Sequence, residues 1–180
     1  FESAPTTVVL EAPGMPAGGI QWHQAGDYCE WVGKRLPTSA EWELAARGLE
    51  GGHDYPWGSD WDPQKCNGCD REPDVESGEG GYEPCDGSVD GYAGAAPIDA
   101  HPSGASPYGV EQMCGNILEW VSDPIILESG ELVYAIRGGG WGPSNGMGHP
   151  LQGLISWAQL KDPANAGAEH IGVRCAKDGG

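Results

Sequence analysis

The sequence predicts an α+β domain with little regular secondary structure, and three observations predict it. Gly (31) and Pro (15) together make up about a quarter of the 180 residues, which favours turns and loops over long elements. Eight Trp and six Tyr against a single Phe supply a core that a disordered chain lacks. Helical periodicity is confined to two stretches and strand character to a few short runs, with no internal repeat and no linker dividing the chain. Residues 1–18 read as an N-terminal segment and connector, and residues 19–180 as one domain.

Taken in order, the first segment holds one short apolar run, Val8, Val9 and Leu10, before a Pro/Gly-rich stretch. Trp22, Ala25, Cys29 and Val32 then fall on one helical face, and Gly33 stops that helix. The second helix carries a capping box. Thr38 caps it, Glu41 stands three residues later, Trp42, Ala45 and Ala46 supply the apolar face, and Gly48 ends it. Residues 49–110 form a long excursion full of turn residues. Between 60 and 90 it carries ten Asp and Glu against Lys65 and Arg71, with three cysteines. A stretch of that length needs pinning, and disulfides or metal are the means the residues offer. Short strands are expected at 117–121, 134–137 and 171–175, and the Gly-rich stretch 138–169 is expected to be exposed.

The charge excludes several functions. With 27 Asp and Glu against 9 Lys and Arg, the formal charge is −18, which repels phosphate backbones and anionic lipid. Nucleic-acid binding and membrane insertion are therefore not expected, and no apolar run is long enough for a spanning helix. Six cysteines, an even number, point to a disulfide framework and an oxidising compartment. The chain starts at Phe1, so a secreted or periplasmic protein whose leader lies outside this sequence is the expected setting.

Other candidate chemistry fails on context. Residues 142–146 match G-x-S-x-G, but Gly146, Met147, Gly148 and Pro150 cannot start the helix that a nucleophile elbow needs. Residues 137–141 follow a strand but open no helix, so they are not a dinucleotide loop. The five histidines show no metal-ligand spacing.

Five segments in register carry a resemblance. GKRLPTSAEWELAARG (33–48), YPWG (55–58), YGVEQMCGNILEWVSD (108–123), IRGGGW (136–141) and IGVRCA (171–176) together resemble the formylglycine-generating enzyme, or sulfatase-modifying factor, family. The resemblance covers nearly the whole chain and implies a C-type-lectin-like fold of the formylglycine-generating type. Members of that family carry a further N-terminal portion, so the resemblance also implies that residues outside these 180 complete the fold. That portion, or another subunit of an assembly, is an expected partner.

The resemblance implies two structural calcium ions, which take six to eight oxygen ligands in flexible geometry. One ligand set would be the Asn67 side chain, the Gly68 carbonyl, the Asp90 carboxylate and the Tyr92 carbonyl. The other would be the Gln112 side chain, the Gly115 and Ile117 carbonyls and the Glu119 carboxylate, with Gln112 where the family more often has Asn. It implies a disulfide between Cys29 and Cys175. Cys66, Cys69, Cys85 and Cys114 are then left, with three possible pairings. Zinc is a competitor for that quartet, but the pattern is incomplete, and disulfides are the expectation.

Active relatives use two cysteines near the C-terminus that bind copper(I) and oxidise a substrate cysteine with O₂. Here residues 141–174 contain no cysteine, so no copper is expected and the reading leans away from an enzyme. The expected function is a calcium- and disulfide-stabilised extracellular module that binds or scaffolds a protein or peptide. Its expected contact surface is the C-terminal loop region, with Trp141, Asn145, His149, Gln152, Trp157 and Gln159. Relatives with hypervariable residues on this face, the diversity-generating-retroelement proteins, use the scaffold for ligand display. Two alternatives stand: an accessory domain of an oxidase or sulfoxide-synthase-type enzyme whose catalytic residues lie elsewhere, and a structural subunit of an extracellular assembly.

Overall fold

Both helices form where the sequence caps them. The structure, a computed structural model, describes residues 13–68, 87–141, 160–165 and 167–179. Helix α1 spans Trp22–Trp31, and the Gln24 side chain accepts a hydrogen bond from the Gln21 amide at its start. Gly33 ends it with φ +71, a left-handed conformation that a residue with a Cβ adopts only at a cost. Helix α2 spans Ser39–Arg47. The Glu41 amide donates to Thr38 Oγ1 at 3.2 Å and the Thr38 amide to Glu41 Oε2 at 2.8 Å, the reciprocal pair expected from the sequence. Asp123 accepts the Ser39 amide at 2.6 Å, satisfying another donor at the same helix end.

Among the described residues the sheet has four strands: β1 (Leu118–Ile126), β2 (Leu132–Arg137), β3 (Leu160–Asp162) and β4 (Ile171–Val173), in spatial order β3-β2-β1-β4. Strands β1 and β2 form an antiparallel hairpin with Glu119 opposite Arg137, while β4 runs parallel to β1 with Leu118 opposite Ile171. Strand β1 runs five residues past its expected end. Pro124 lacks an amide for the ladder, and the register slips between Trp120 and Pro124, so the strand passes the proline at an irregularity. Buried Gly138, Gly139 and Gly140 correct the expected exposure at the start of the 138–169 stretch, whereas residues 163, 165, 167 and 169 are exposed and 142–159 lie outside the described residues.

Alternation along β1 and β2 separates two apolar layers. Leu118, Trp120 and Ile136 pack with Ile20, Ala25, Cys29, Leu36 and Ile171 on the α1 face. Val121 and Ala135 pack with Trp42, Ala46 and Met113 on the α2 face. The sheet is thus buried on both sides, one helix to each. Trp120 is fully buried and its indole N–H donates to the Ile20 carbonyl at 2.7 Å, so its one polar atom is satisfied inside the core. Of the expected first-helix face, Ala25 and Cys29 are buried, while Val32 is exposed beyond the last turn.

Two disulfides are present among the described residues, Cys29–Cys175 and Cys66–Cys114. The first ties α1 to the segment after β4. The second resolves one of the pairings the sequence left open. Cys69 and Cys85 lie outside the described residues. No helix among the described residues is long and apolar enough to cross a membrane.

Candidate functional site

The strongest site grows from one short parallel bridge between Asn67 and Gly115, flanked by the Cys66–Cys114 disulfide. Gly115 has φ +73, and a Cβ there would overlap the Asn67 carbonyl and the Cys66 sulfur, so the two segments meet at backbone distance. Asn116 follows with φ +64, in the left-handed region that Asn tolerates better than most residues. Its amide donates to the Asn67 carbonyl at 2.6 Å.

The Asn116 side chain fixes the one beside it. Its Oδ1 accepts the Ala96 amide at 2.8 Å and its Nδ2 donates to the Ala96 carbonyl at 3.0 Å, so the amide can face only one way. Asn67 Nδ2 donates to that Oδ1 and to the Gly94 carbonyl, both at 3.0 Å. Asn67 Oδ1 therefore points the other way. It is buried and has no hydrogen-bond partner, while Asn67 as a whole is fully buried. A buried amide oxygen without a donor is costly, by about 1–3 kcal/mol, and calls for an electropositive partner.

A buried carboxylate is hydrogen-bonded to the next residue in the chain, Gly68. Asp90 is 8 % exposed; its Oδ2 accepts the Gly68 amide at 3.1 Å and its Oδ1 the Tyr92 amide at 2.9 Å. Asp90 thereby gathers Gly68, next to Asn67 in sequence, and Tyr92. All four residues expected in the first ion set share this corner of the structure. The donor chemistry, one carboxylate with amide and main-chain oxygens, suits a hard cation such as calcium. Among the described residues no three His, Cys, Asp or Glu side chains cluster.

The second expected set is brought together differently. Gln112, Gly115, Ile117 and Glu119 all line one cleft of about 920 Å³, walled by Met15, Ile20, Tyr28, Ile98, Val110 and Val173. Glu119, however, is already heavily engaged. Arg174 Nε donates to both its oxygens at 3.2 and 3.0 Å, Arg174 Nη2 donates to Oε1 at 2.9 Å, and Trp42 Nε1 donates to Oε2 at 2.7 Å. Burial pushes the Arg174 pKa down, but the Glu119 charge and hydrogen bonds outweigh that and raise it. Gln112, at φ +57, gives its amide N–H₂ to the carbonyls of Pro97 and Ala100. A cation here would share its carboxylate with a guanidinium, so this group fits an ion less well than the first.

Opposite Glu119 in the β1–β2 hairpin and also facing α2, Arg137 is 4 % exposed and donates from Nε to Ser39 Oγ at 2.8 Å, with Glu43 Oε2 3.3 Å from its Nη2. Burial lowers its pKa while Glu43 works against that shift. This pair holds helix to sheet.

Trp141, expected at the contact surface, is half-buried, and its amide donates to the Asn116 carbonyl at 3.0 Å. Asn145, His149, Gln152, Trp157 and Gln159 lie outside the described residues. Two residues escaped the sequence reading: Asn116, which orients Asn67, and Arg174, which holds Glu119. A Gly-Asn pair just before a strand was the available sign of the first, since both residues favour left-handed turns.

The chain matches the family described as "Sulfatase-modifying factor enzyme 1-like domain" over residues 3–179. It is 30% identical over 178 residues to "Inactive C-alpha-formylglycine-generating enzyme 2" of Mus musculus, covering 99% of this chain and 54% of that protein. To "Formylglycine-generating enzyme" of Bos taurus it is 36% identical over 187 residues, covering 97% and 47% respectively. The chain therefore spans about half the length of these relatives. In fold it is similar to PvdO from Pseudomonas aeruginosa, with a TM-score of 0.65, 24% identity and coverage of 91% of this chain and 62% of that one.

Proposed function

Because this chain belongs to the sulfatase-modifying factor family, we propose that it is a non-catalytic binding or scaffolding module of that family. One observation carries the reading: residues 141–174, where active relatives hold their copper-binding pair, contain no cysteine. The relatives' copper(I) chemistry works through a pair of thiolates, a soft ligand set that this stretch does not supply. The similarity to a mammalian relative named inactive supports the same conclusion. The test is incubation of the full chain with copper(I), O₂ and a cysteine-containing peptide. No aldehyde product is expected, and formylglycine detected by mass spectrometry would overturn the reading.

The module is proposed to hold one calcium ion at Asn67, Gly68, Asp90 and Tyr92, supported by the unpartnered Asn67 oxygen and by the buried Asp90 carboxylate bonded to the adjacent Gly68 amide. A second ion at Gln112, Gly115, Ile117 and Glu119 is the weaker proposal, because Arg174 already occupies the carboxylate. Calorimetric titration with Ca²⁺ is expected to give a stoichiometry of about one. No heat of binding would remove the calcium.

Its partner is proposed to be a polypeptide, and its setting extracellular or periplasmic, which the two disulfides support. Besides the 141–169 region, the cleft beside α1 is a contact surface of suitable chemistry. Its walls are apolar, and Glu119 already neutralises Arg174, so an uncharged backbone matches it better than an anionic ligand does.

A further inference from the structure

The disulfide and the first ion site occupy the same few residues. Cys66 precedes Asn67 and Cys114 precedes Gly115, and Asn67 and Gly115 are the two residues of the bridge. We propose that the Cys66–Cys114 bond positions the cation site, so that bond formation and ion affinity are coupled. The inference rests on the calcium reading given above.

The coupling follows from contacts already described. The bond holds two segments close enough that only a glycine fits at position 115. That approach brings the Asn116 amide to the Asn67 carbonyl, and it brings the Asn116 side chain to Asn67 Nδ2. Those hydrogen bonds fix the Asn67 amide and leave its Oδ1 buried without a donor, the oxygen proposed to meet the ion. Both cysteines are buried, at 1 % and 2 % exposure, so nothing but neighbouring chain accommodates a change between them. Two thiols cannot stand at bonding distance and separate toward van der Waals contact, about 3.5–4 Å. In a close-packed interior that separation moves Asn67 relative to Asp90. Cys29–Cys175, at the junction of α1 with the segment after β4, touches none of these groups and serves as the internal reference.

Coupling between two events is reciprocal. Whatever factor the bond adds to ion affinity, the ion adds to the bond's resistance to reduction. Reduction by a dithiol such as dithiothreitol transfers two electrons and two protons to Cys66 and Cys114, giving two thiols while the reagent closes to its cyclic disulfide. A tenfold effect on affinity corresponds to about 30 mV on this two-electron couple.

The test has two arms on the full 180-residue chain. In the first, Ca²⁺ is titrated by calorimetry into the oxidised protein and into a Cys66→Ala/Cys114→Ala variant shown to be folded by circular dichroism. The variant is expected to bind at least tenfold more weakly. In the second, the unaltered protein is equilibrated in dithiothreitol redox buffers with and without saturating Ca²⁺, and each cysteine's state is read by alkylation and fragment mass spectrometry. Calcium is expected to shift the Cys66–Cys114 midpoint to more reducing buffer and to leave Cys29–Cys175 in place. Equal affinities in the first arm, or a calcium-independent midpoint in the second, would sink the coupling while leaving the calcium site intact. If the variant does not fold, the second arm decides alone. If the oxidised protein binds no Ca²⁺, the calcium reading itself fails and the coupling falls with it.

Discussion

At the scale of single residues, the site depends on side chains whose orientation is dictated rather than chosen. Asn116 makes three side-chain hydrogen bonds, two to Ala96 and one to Asn67, and does so from φ +64. Asn116→Ala strands the Asn67 N–H₂ on that side and both polar groups of Ala96. Each stranded buried group costs about 1–3 kcal/mol, so the variant is expected to lose several kcal/mol of unfolding free energy in a urea titration. A loss below about 1 kcal/mol would mean that water replaces the side chain. Gly115→Ala places a Cβ into the Asn67 carbonyl and forces a left-handed alanine. It is expected to destabilise by more than the few tenths of a kcal/mol typical of surface changes, and to weaken Ca²⁺ binding in the same protein.

At the scale of elements, α2 is the best specified piece, and its N-terminus carries an acid-sensitive ion pair. The Arg35 guanidinium, donating to both Glu41 oxygens at 2.7 Å, together with the Thr38 amide, lowers the Glu41 pKa from its ordinary 4.5 to about 2. A carboxylate depressed in the folded state contributes stability that is present above its unfolded pKa and lost as pH falls toward 2. The side chain is 43% exposed, so solvent screens much of that contribution. Thermal melts between pH 5 and pH 2 are expected to fall more steeply for the native chain than for Glu41→Gln. Parallel curves would show that the pair is idle. This helix was legible because its capping box is local, four residues that satisfy each other. Strand β1 was legible only to Val121, because Pro124 reads as a stop, and only pairing with β2 from Tyr134 to Leu132 carries the chain past it. Strand β3 was not legible, since its stabilisation comes from β2 and not from its own three residues.

At the scale of the whole molecule, the two disulfides divide the labour. Cys29–Cys175 spans 146 residues, and closing a loop of that length is worth about 5 kcal/mol in the chain-entropy account; Cys66–Cys114 spans 48, worth about 4. Cys29→Ala/Cys175→Ala is therefore expected to lower the urea midpoint substantially while preserving Ca²⁺ affinity in whatever fraction stays folded. A large loss of affinity in that folded fraction would show that the ion site responds to global loosening. The candidate ligands were legible only through family register. No spacing in the sequence joins Gly68 to Asp90, because the hydrogen bond between them is a tertiary contact across 22 positions. The Glu119–Arg174 pair was hidden for the same reason, as 55 residues separate its members.

The parallel pairing of β4 with β1 has a consequence in time as well as in space. Ile171 sits against Leu118, its carbonyl accepts the Ile20 amide at 3.2 Å, and Ala176 pairs with Arg35. The last strand thus completes contacts with the beginning, the middle and the first helix of the chain. Such a pattern of distant contacts makes for slow folding, because loop entropy is spent before the contacts form. During synthesis the α1 layer stays open, with Cys29 unpaired, until residues 171–176 have left the ribosome. Until then Leu118 lacks its pairing with Ile171 and Trp120 its pairing with Val173, so translation sets how long that edge of β1 stays open.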